Sequence, residues 1–156
     1  AQDFGISAPI LSSVIEVNER QPSMMLDILK KRVSDLDKKD VLLLGLSFKP
    51  DTDDIRESVS IKLLNLLSGQ VKSLSAHDPI AIKNAKWAMS HNKNIDFVEN
   101  WKESIPNVDI IIIATNWLEY ADLANMKDCT EEKVIFDIRS LLIDEDIAKA
   151  NYFTVN

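Results

Sequence analysis

The apolar positions fall into two regimes. From about Ala8 to Val33, the residues Leu11, Val14, Ile15, Met25, Leu26 and Leu29, with Asn18 on the same stripe, recur at a spacing of three to four. That period predicts one long helix with a broad apolar face. Pro22 lies inside it, where a missing amide hydrogen and a ring clash predict a kink or a break. "SDLDKKD" from Ser34 to Asp40 is polar and charged and reads as a linker. After Lys39 the period changes. "VLLLGL" from Val41 and "VDIIIIAT" from Val108 are short apolar runs without alternation, the pattern of strands buried on both faces.

Between and after these runs, strand and helix signals alternate. "SVSIKLLNLLSG" from Ser58 predicts a helix stopped at Gly69. "VKSLSAHD" from Val71 predicts a second strand. "DPIAIKNAKWAMSHN" predicts a helix with Asp78 as N-cap and Pro79 in first position. "IDFV" is a short strand, and "NWKESI" a short helix capped by Asn100. "WLEYADLANMK" reads as irregular helix, "KVIFDIR" as a strand, "DEDIAKA" as a short helix and "YFTVN" as a final strand. This alternation predicts a doubly wound α/β domain: a mostly parallel, Rossmann-like sheet with helices on both faces, preceded by the long helix. Residues 1–38 are assigned to the helix and linker, and 39–156 to the α/β domain. The leading helix must pack on its own domain, on another domain or on a second copy.

Composition narrows the function. The 156 residues are 46% hydrophobic and 28% charged, enough for a packed core. A net charge of -7 argues against a nucleic-acid partner, which calls for a basic face. No apolar run is long enough to span a bilayer as a helix, so no membrane partner is expected. A single cysteine, Cys129, excludes an intrachain disulfide and argues against a thiolate zinc site; it fits a cytoplasmic setting.

The candidate chemistry sits in "GLSFKPDTDDIRES" from Gly45 to Ser58. Ligands of an open parallel sheet bind beyond the carboxyl ends of its strands, and this stretch follows the first strand. Lys49 is a mobile point charge suited to a phosphate, and Arg56 a planar fork for phosphate or carboxylate. Asp53 and Asp54 can cap the next helix, hold the two cations, or both. Two readings follow: an anion site for a phosphorylated small molecule, or a solvated loop with local ion pairs. With only Gly5, Gly45 and Gly69 in the chain, neither a G-x-G-x-x-G turn nor a Walker loop can form.

These residues resemble the block that opens the C-terminal domain of the UDP-glucose/GDP-mannose dehydrogenase family, G-[L/V]-[A/S/T]-F-K-x-x-[T/V]-D-D-x-R-x-S. "VIEVNERQP", "AHDPIAIKNAKW", "VDIIIIATNWLEYADL" and "VIFDIRSLLI" resemble further blocks of that family, in family order over nearly the whole chain. The resemblance implies a polypeptide that oxidises the C6 alcohol of a nucleotide sugar twice, to a uronate, using NAD. It implies an N-terminal NAD-binding domain, a central helix that dimerises, and a C-terminal domain that binds the nucleotide sugar. This chain resembles the end of the central helix plus the C-terminal domain, and should be inactive alone. The implied partners are a UDP-sugar, the N-terminal domain and a second copy docked through the leading helix. By position, the resemblance gives Lys49 and Arg139 to the substrate and Arg56 to NAD. It implies no catalytic residue within the chain, since the family's cysteine block, G-G-x-C-x-x-K-D, is not among these residues. Ile138 stands where the family often has glycine, and Asn116 where many relatives have glutamate. UDP-glucose is the first expectation because "HDPIAIKNA" and "TNWLEY" resemble that branch. UDP-N-acetylmannosamine and GDP-mannose are the alternatives. A reading from another class is a stand-alone α/β binding or regulatory module.

Other candidates have plainer readings. Cys129 has no partner histidine nearby and reads as a structural or surface thiol. His77 and His91 read as strand and helix ends, not metal ligands. Asp78 lies where a Rossmann domain keeps its ribose-binding acid, yet without a glycine turn it reads as a helix cap. Trp87, Trp101 and Trp117 read as packing groups.

Overall fold

The computed structural model describes residues 9–126, 130–142 and 151–155. Six parallel strands form one sheet: β1 (Asp40–Leu44), β2 (Ser73–His77), β3 (Ile95–Phe97), β4 (Ile110–Ile113), β5 (Val134–Asp137) and β6 (Tyr152–Thr154). Their spatial order is β3-β2-β1-β4-β5-β6. The chain first winds outward from β1 to one edge, then returns to the centre and winds to the other. The reversal point lies between β1 and β4, where Leu44 pairs with Ile113 at the carboxyl ends.

Both faces of the central strands are apolar because both are covered. Val41 and Leu43 of β1, with Ile110 and Ile112 of β4, enter the core shared with helices α1 (Pro9–Arg32), α2 (Val59–Leu67) and α3 (Ile82–Ala88). Leu42, Leu44, Ile111 and Ile113 enter the opposite core. That core is closed by α4 (Trp101–Ser104) and the 3-10 segments at Ile105–Asn107 and Leu118–Asn125. A parallel strand between two helical layers therefore loses the alternation of a half-exposed strand.

Helix α1 runs unbroken through Pro22. Pro22 is buried and falls on the stripe of Met25, Leu26, Leu29 and Val33, so burial of its ring offsets the lost helical hydrogen bond. This half of α1 packs on α2, and Arg32 lies 5.4 Å over the Phe153 ring of β6. The preceding residues 15–20 are exposed, with Ile15 and Val17 uncovered. The expected linker is a short 3-10 turn, Leu36–Lys38, anchored by buried Leu36. No described helix is long and apolar enough to cross a membrane.

The predicted helix from Asp78 begins later, at Ile82, and ends at Ala88. The Asp78 carboxylate takes the Ile80 and Ala81 amides into a turn that precedes the helix. Trp87 departs from its expected packing role: it is 82% exposed, whereas Trp101 and Trp117 are buried. Its position on the outer side of α3 puts it beyond the reach of either core. Cys129 and the expected helix over 144–150 lie outside the described residues.

Candidate functional site

The loops after β1, β2, β4 and β5 meet at the carboxyl edge of the sheet, around the reversal point. Gly45 leaves β1 with φ +93°, and a Cβ there would lie 2.5 Å from the Thr115 Cβ and 2.6 Å from its nitrogen. Only glycine allows this approach of the first loop to the end of β4. Thr115 Oγ1 then donates to the Ser47 carbonyl at 2.8 Å. The Ser58 hydroxyl donates to the Leu46 carbonyl at 2.7 Å, joining the loop to the start of α2.

Under this loop sits Asp78, 1% exposed. Its Oδ2 accepts from the Leu46 and Ser47 amides (2.8 and 3.0 Å), the Ser47 hydroxyl (3.0 Å) and the Trp117 indole N–H (3.1 Å). Burial alone would raise the pKa of this acid. The amide donors outweigh burial and hold it below the usual carboxylate range. The residue at the ribose position thus points inward, and with a single glycine in the β1 turn the edge lacks both parts of a dinucleotide site.

Next to Asp78, His77 Nδ1 lies 3.0 Å from the Tyr120 hydroxyl. Burial pushes the imidazole pKa down despite the nearby Glu119 and Asp78 charges, so His77 is neutral at neutral pH. Its site is a packed interior with Trp101 and Tyr120 edge to face, not a reaction centre.

The three predicted site residues lie on two of these loops. Lys49 is exposed two residues beyond the buried Ser47, and forms no ion pair among the described residues. Arg139 follows β5, and its Nε donates to the Ala114 carbonyl at the end of β4, 2.8 Å away. The strand order puts β4 between β1 and β5, so the loops carrying Lys49 and Arg139 leave the strands on either side of β4. Ile138 needs no positive φ here. Its amide donates to the Ile113 carbonyl, its side chain packs on the core, and the left-handed turn falls at Ser140, with φ +56°. Asn116, on the β4 loop, is exposed.

Arg56 is held in a fork. Its Nε and Nη2 donate to the two Asp54 oxygens at 2.9 and 2.8 Å, and its amide donates to Asp54 Oδ1 at 2.9 Å. Asp53 does a different job from the one expected: its carboxylate and carbonyl hold the Asn84 amide of α3, each at 3.0 Å. Neither aspartate pairs with Lys49. These residues, with Thr52, Ile55 and Trp87, line an open cavity of about 540 Å³. The larger hollow, about 700 Å³, lies around Gly69, Lys72 and Asn94, on the opposite edge of the sheet from these loops.

The side-chain and backbone hydrogen bonds from Arg56 pull the Asp54 pKa down to about 2. A lowered folded-state pKa means the contribution is present above the unfolded value and is lost as pH falls through about 2. NMR titration of the Asp54 carboxyl carbon should show a midpoint near 2 in the wild type. It should return towards the ordinary value, about 3.9, in Arg56→Ala. A wild-type midpoint already at the ordinary value would remove the fork.

The comparisons with known proteins agree with this fold. Residues 42–144 match the UDP binding domain of the UDP-glucose/GDP-mannose dehydrogenase family. The chain belongs to that family. It is 34% identical over 154 residues to a UDP-glucose 6-dehydrogenase of Rickettsia felis, covering 97% of this chain and 34% of that protein. It is 36% identical over 142 residues to a UDP-glucose 6-dehydrogenase of Haloferax volcanii, covering 91% of this chain and 32% of the relative. The solved UDP-glucose dehydrogenase of Pyrobaculum islandicum superposes with a TM-score of 0.77 at 30% identity, over 97% of this chain and 33% of that one. The chain therefore spans about a third of the length of these relatives. The family's UDP binding domain, in its Rossmann-like form, is what these residues build.

Sequence reasoning placed the edge loop but missed its support. Asp78 was visible at the end of β2 as a helix cap, but its donors from the β1 and β4 loops were not. Asp137 gave no signal beyond its place before Arg139. It is fully buried and accepts from the amides of Arg139 (3.0 Å) and Leu142 (2.8 Å) and from the Tyr152 hydroxyl (3.0 Å).

Proposed function

We propose that this chain is the UDP-sugar-binding part of an NAD-dependent nucleotide-sugar 6-dehydrogenase, with UDP-glucose as substrate. The observation that supports this reading is that the loops carrying Lys49 and Arg139 leave β1 and β5, the strands on either side of β4, with Arg139 Nε on the Ala114 carbonyl. Lys49, with no acidic partner among the described residues, supplies a mobile charge to the diphosphate. Arg139, with Nε anchored on Ala114, keeps the rest of its fork for the nucleotide sugar. Arg56, fixed by Asp54, presents a preset cation to NAD held by a preceding domain. The residues present fit NAD only at this rim, because Asp78 is consumed inside the domain and the β1 turn has one glycine. Arg56 would meet NAD there, and NAD would supply the hydride acceptor for oxidation of the C6 alcohol. The chain's own residues bind and orient.

Three tests bear on this. The parent reading frame should carry a G-x-G-x-x-G turn and a G-G-x-C-x-x-K-D block upstream; a start codon just before Ala1 would favour a stand-alone binding module. In the full-length enzyme, Lys49→Ala should raise KM for the nucleotide sugar about tenfold and leave KM for NAD nearly unchanged, with Arg56→Ala doing the reverse. Equal effects on both substrates would sink the assignment. Product analysis with UDP-glucose, UDP-N-acetylmannosamine and GDP-mannose decides the sugar.

A further inference from the structure

Asp78 collects six donors from three separate loops. Four come from the first loop and Trp117, as described above. The other two are the Ile80 and Ala81 amides, 2.9 and 2.7 Å from Oδ1. The carboxylate thus joins the loops after β1, β2 and β4 at one buried point. What it fixes most firmly is Ser47, whose amide and hydroxyl it accepts and whose carbonyl is taken by Thr115. Trp117 Nε1 also lies 3.2 Å from the Ser47 hydroxyl oxygen. Ser47 is 1% exposed, and the chain emerges from it directly into Phe48, 55% exposed, and Lys49. The Phe48 amide, next along, donates to the Asp54 carbonyl at 2.8 Å, the residue that holds Arg56.

We infer that Asp78 is a positioning residue for ligand binding: its carboxylate fixes the point from which Lys49 reaches the UDP diphosphate. This rests on the reading of Lys49 given above. A carboxylate is required because all six partners are donors. An asparagine has one acceptor oxygen, and in either orientation its NH2 faces N–H or O–H groups that it cannot accept. The substitution keeps shape and volume, so it removes the clamp with little change in packing.

The test is a double-mutant cycle read in two ways on the full chain. Asp78→Asn should weaken UDP binding about tenfold by calorimetry. Asp78→Asn added to Lys49→Ala should then cost little more, because Asp78 acts on UDP only through Lys49. Hydrogen exchange at the Leu46 and Ser47 amides should rise at least about tenfold in Asp78→Asn, with the amides of β1 and β4 unchanged. Losses that multiply, or exchange at Leu46 and Ser47 that does not change, would overturn the inference. If the wild type does not bind UDP, the functional reading above fails, and the exchange experiment still decides whether Asp78 fixes the loop. If Asp78→Asn does not fold, Ser47→Ala and Trp117→Phe each remove one donor from the same carboxylate. Each should weaken UDP binding a few-fold and be non-additive with Lys49→Ala; full additivity in both overturns the inference.

Discussion

Gly45→Ala destabilises the domain by about 4 kcal/mol, a large part of the total stability of a domain this size. Two costs add. The position has φ +93°, where a residue with a Cβ is strained by roughly 1–3 kcal/mol. The new methyl also meets the Thr115 Cβ at 2.5 Å and its backbone nitrogen at 2.6 Å, and overpacking of this kind costs roughly another 1–3 kcal/mol. Backbone cannot swing aside as a flexible side chain could. Gly69 is the control: its φ is +84°, yet nothing lies within 4 Å of the added Cβ. Gly69→Ala should therefore show the conformational cost alone, about 1–2 kcal/mol. Urea denaturation of the two variants measures the difference. Equal losses would mean that the contact between the β1 and β4 loops does not constrain the fold.

Asp137→Ala is the second large effect, about 3 kcal/mol. The side chain is fully buried and accepts three hydrogen bonds, so truncation strands the Arg139 and Leu142 amides and the Tyr152 hydroxyl. Each unsatisfied buried donor costs roughly 1–3 kcal/mol, and partial access of water to the loop lowers the sum. Burial, followed by the charge and hydrogen bond of Asp137, pushes the Tyr152 phenol pKa up, so the hydroxyl stays a donor at any working pH. Asp137→Ala combined with Tyr152→Phe should recover part of the loss, because one stranded donor disappears with its partner. Thermal and urea unfolding measure both. A double mutant no more stable than Asp137→Ala would show that the Tyr152 contact is not part of the cost. The same substitution frees the Arg139 amide and so loosens the turn after β5.

Much of the fold was legible because its signals are local. Continuous apolar runs at Val41–Leu44 and Ile110–Ile113 read as strands covered on both sides, and the structure covers them on both sides. Asn100 and Ser58 mark the starts of α4 and α2, and Asn100 accepts from the Lys102 amide. The departures come from long-range contacts that no local window contains. Pro22 leaves α1 intact because its ring is buried on the packed stripe. The start of α3 moves to Ile82 because Asp78 spends its carboxylate on the preceding turn. Trp87 looks like a core residue by type but sits on the outer side of its helix.

The site divides in the same way. Residue type and spacing singled out Lys49 and Arg56, and family resemblance singled out Arg139; all three are exposed. The contacts beneath the loops were not legible, because Asp78 meets Trp117 across 39 positions and Ser47 across 31. The Arg56–Asp54 fork was half legible: two residues apart, the pair is close in any conformation, but its bidentate geometry depends on the turn between them.

Calorimetric titration of the 156-residue chain with UDP tests the central claim most directly. One saturable site is expected. Losing a charged hydrogen bond to phosphate costs about 2 kcal/mol, so Lys49→Ala should weaken binding about 30-fold. Arg139→Ala should do so by about tenfold or more, while Arg56→Ala should leave the Kd within about twofold. Absence of UDP binding, or binding that survives both Lys49→Ala and Arg139→Ala unchanged, would contradict the account.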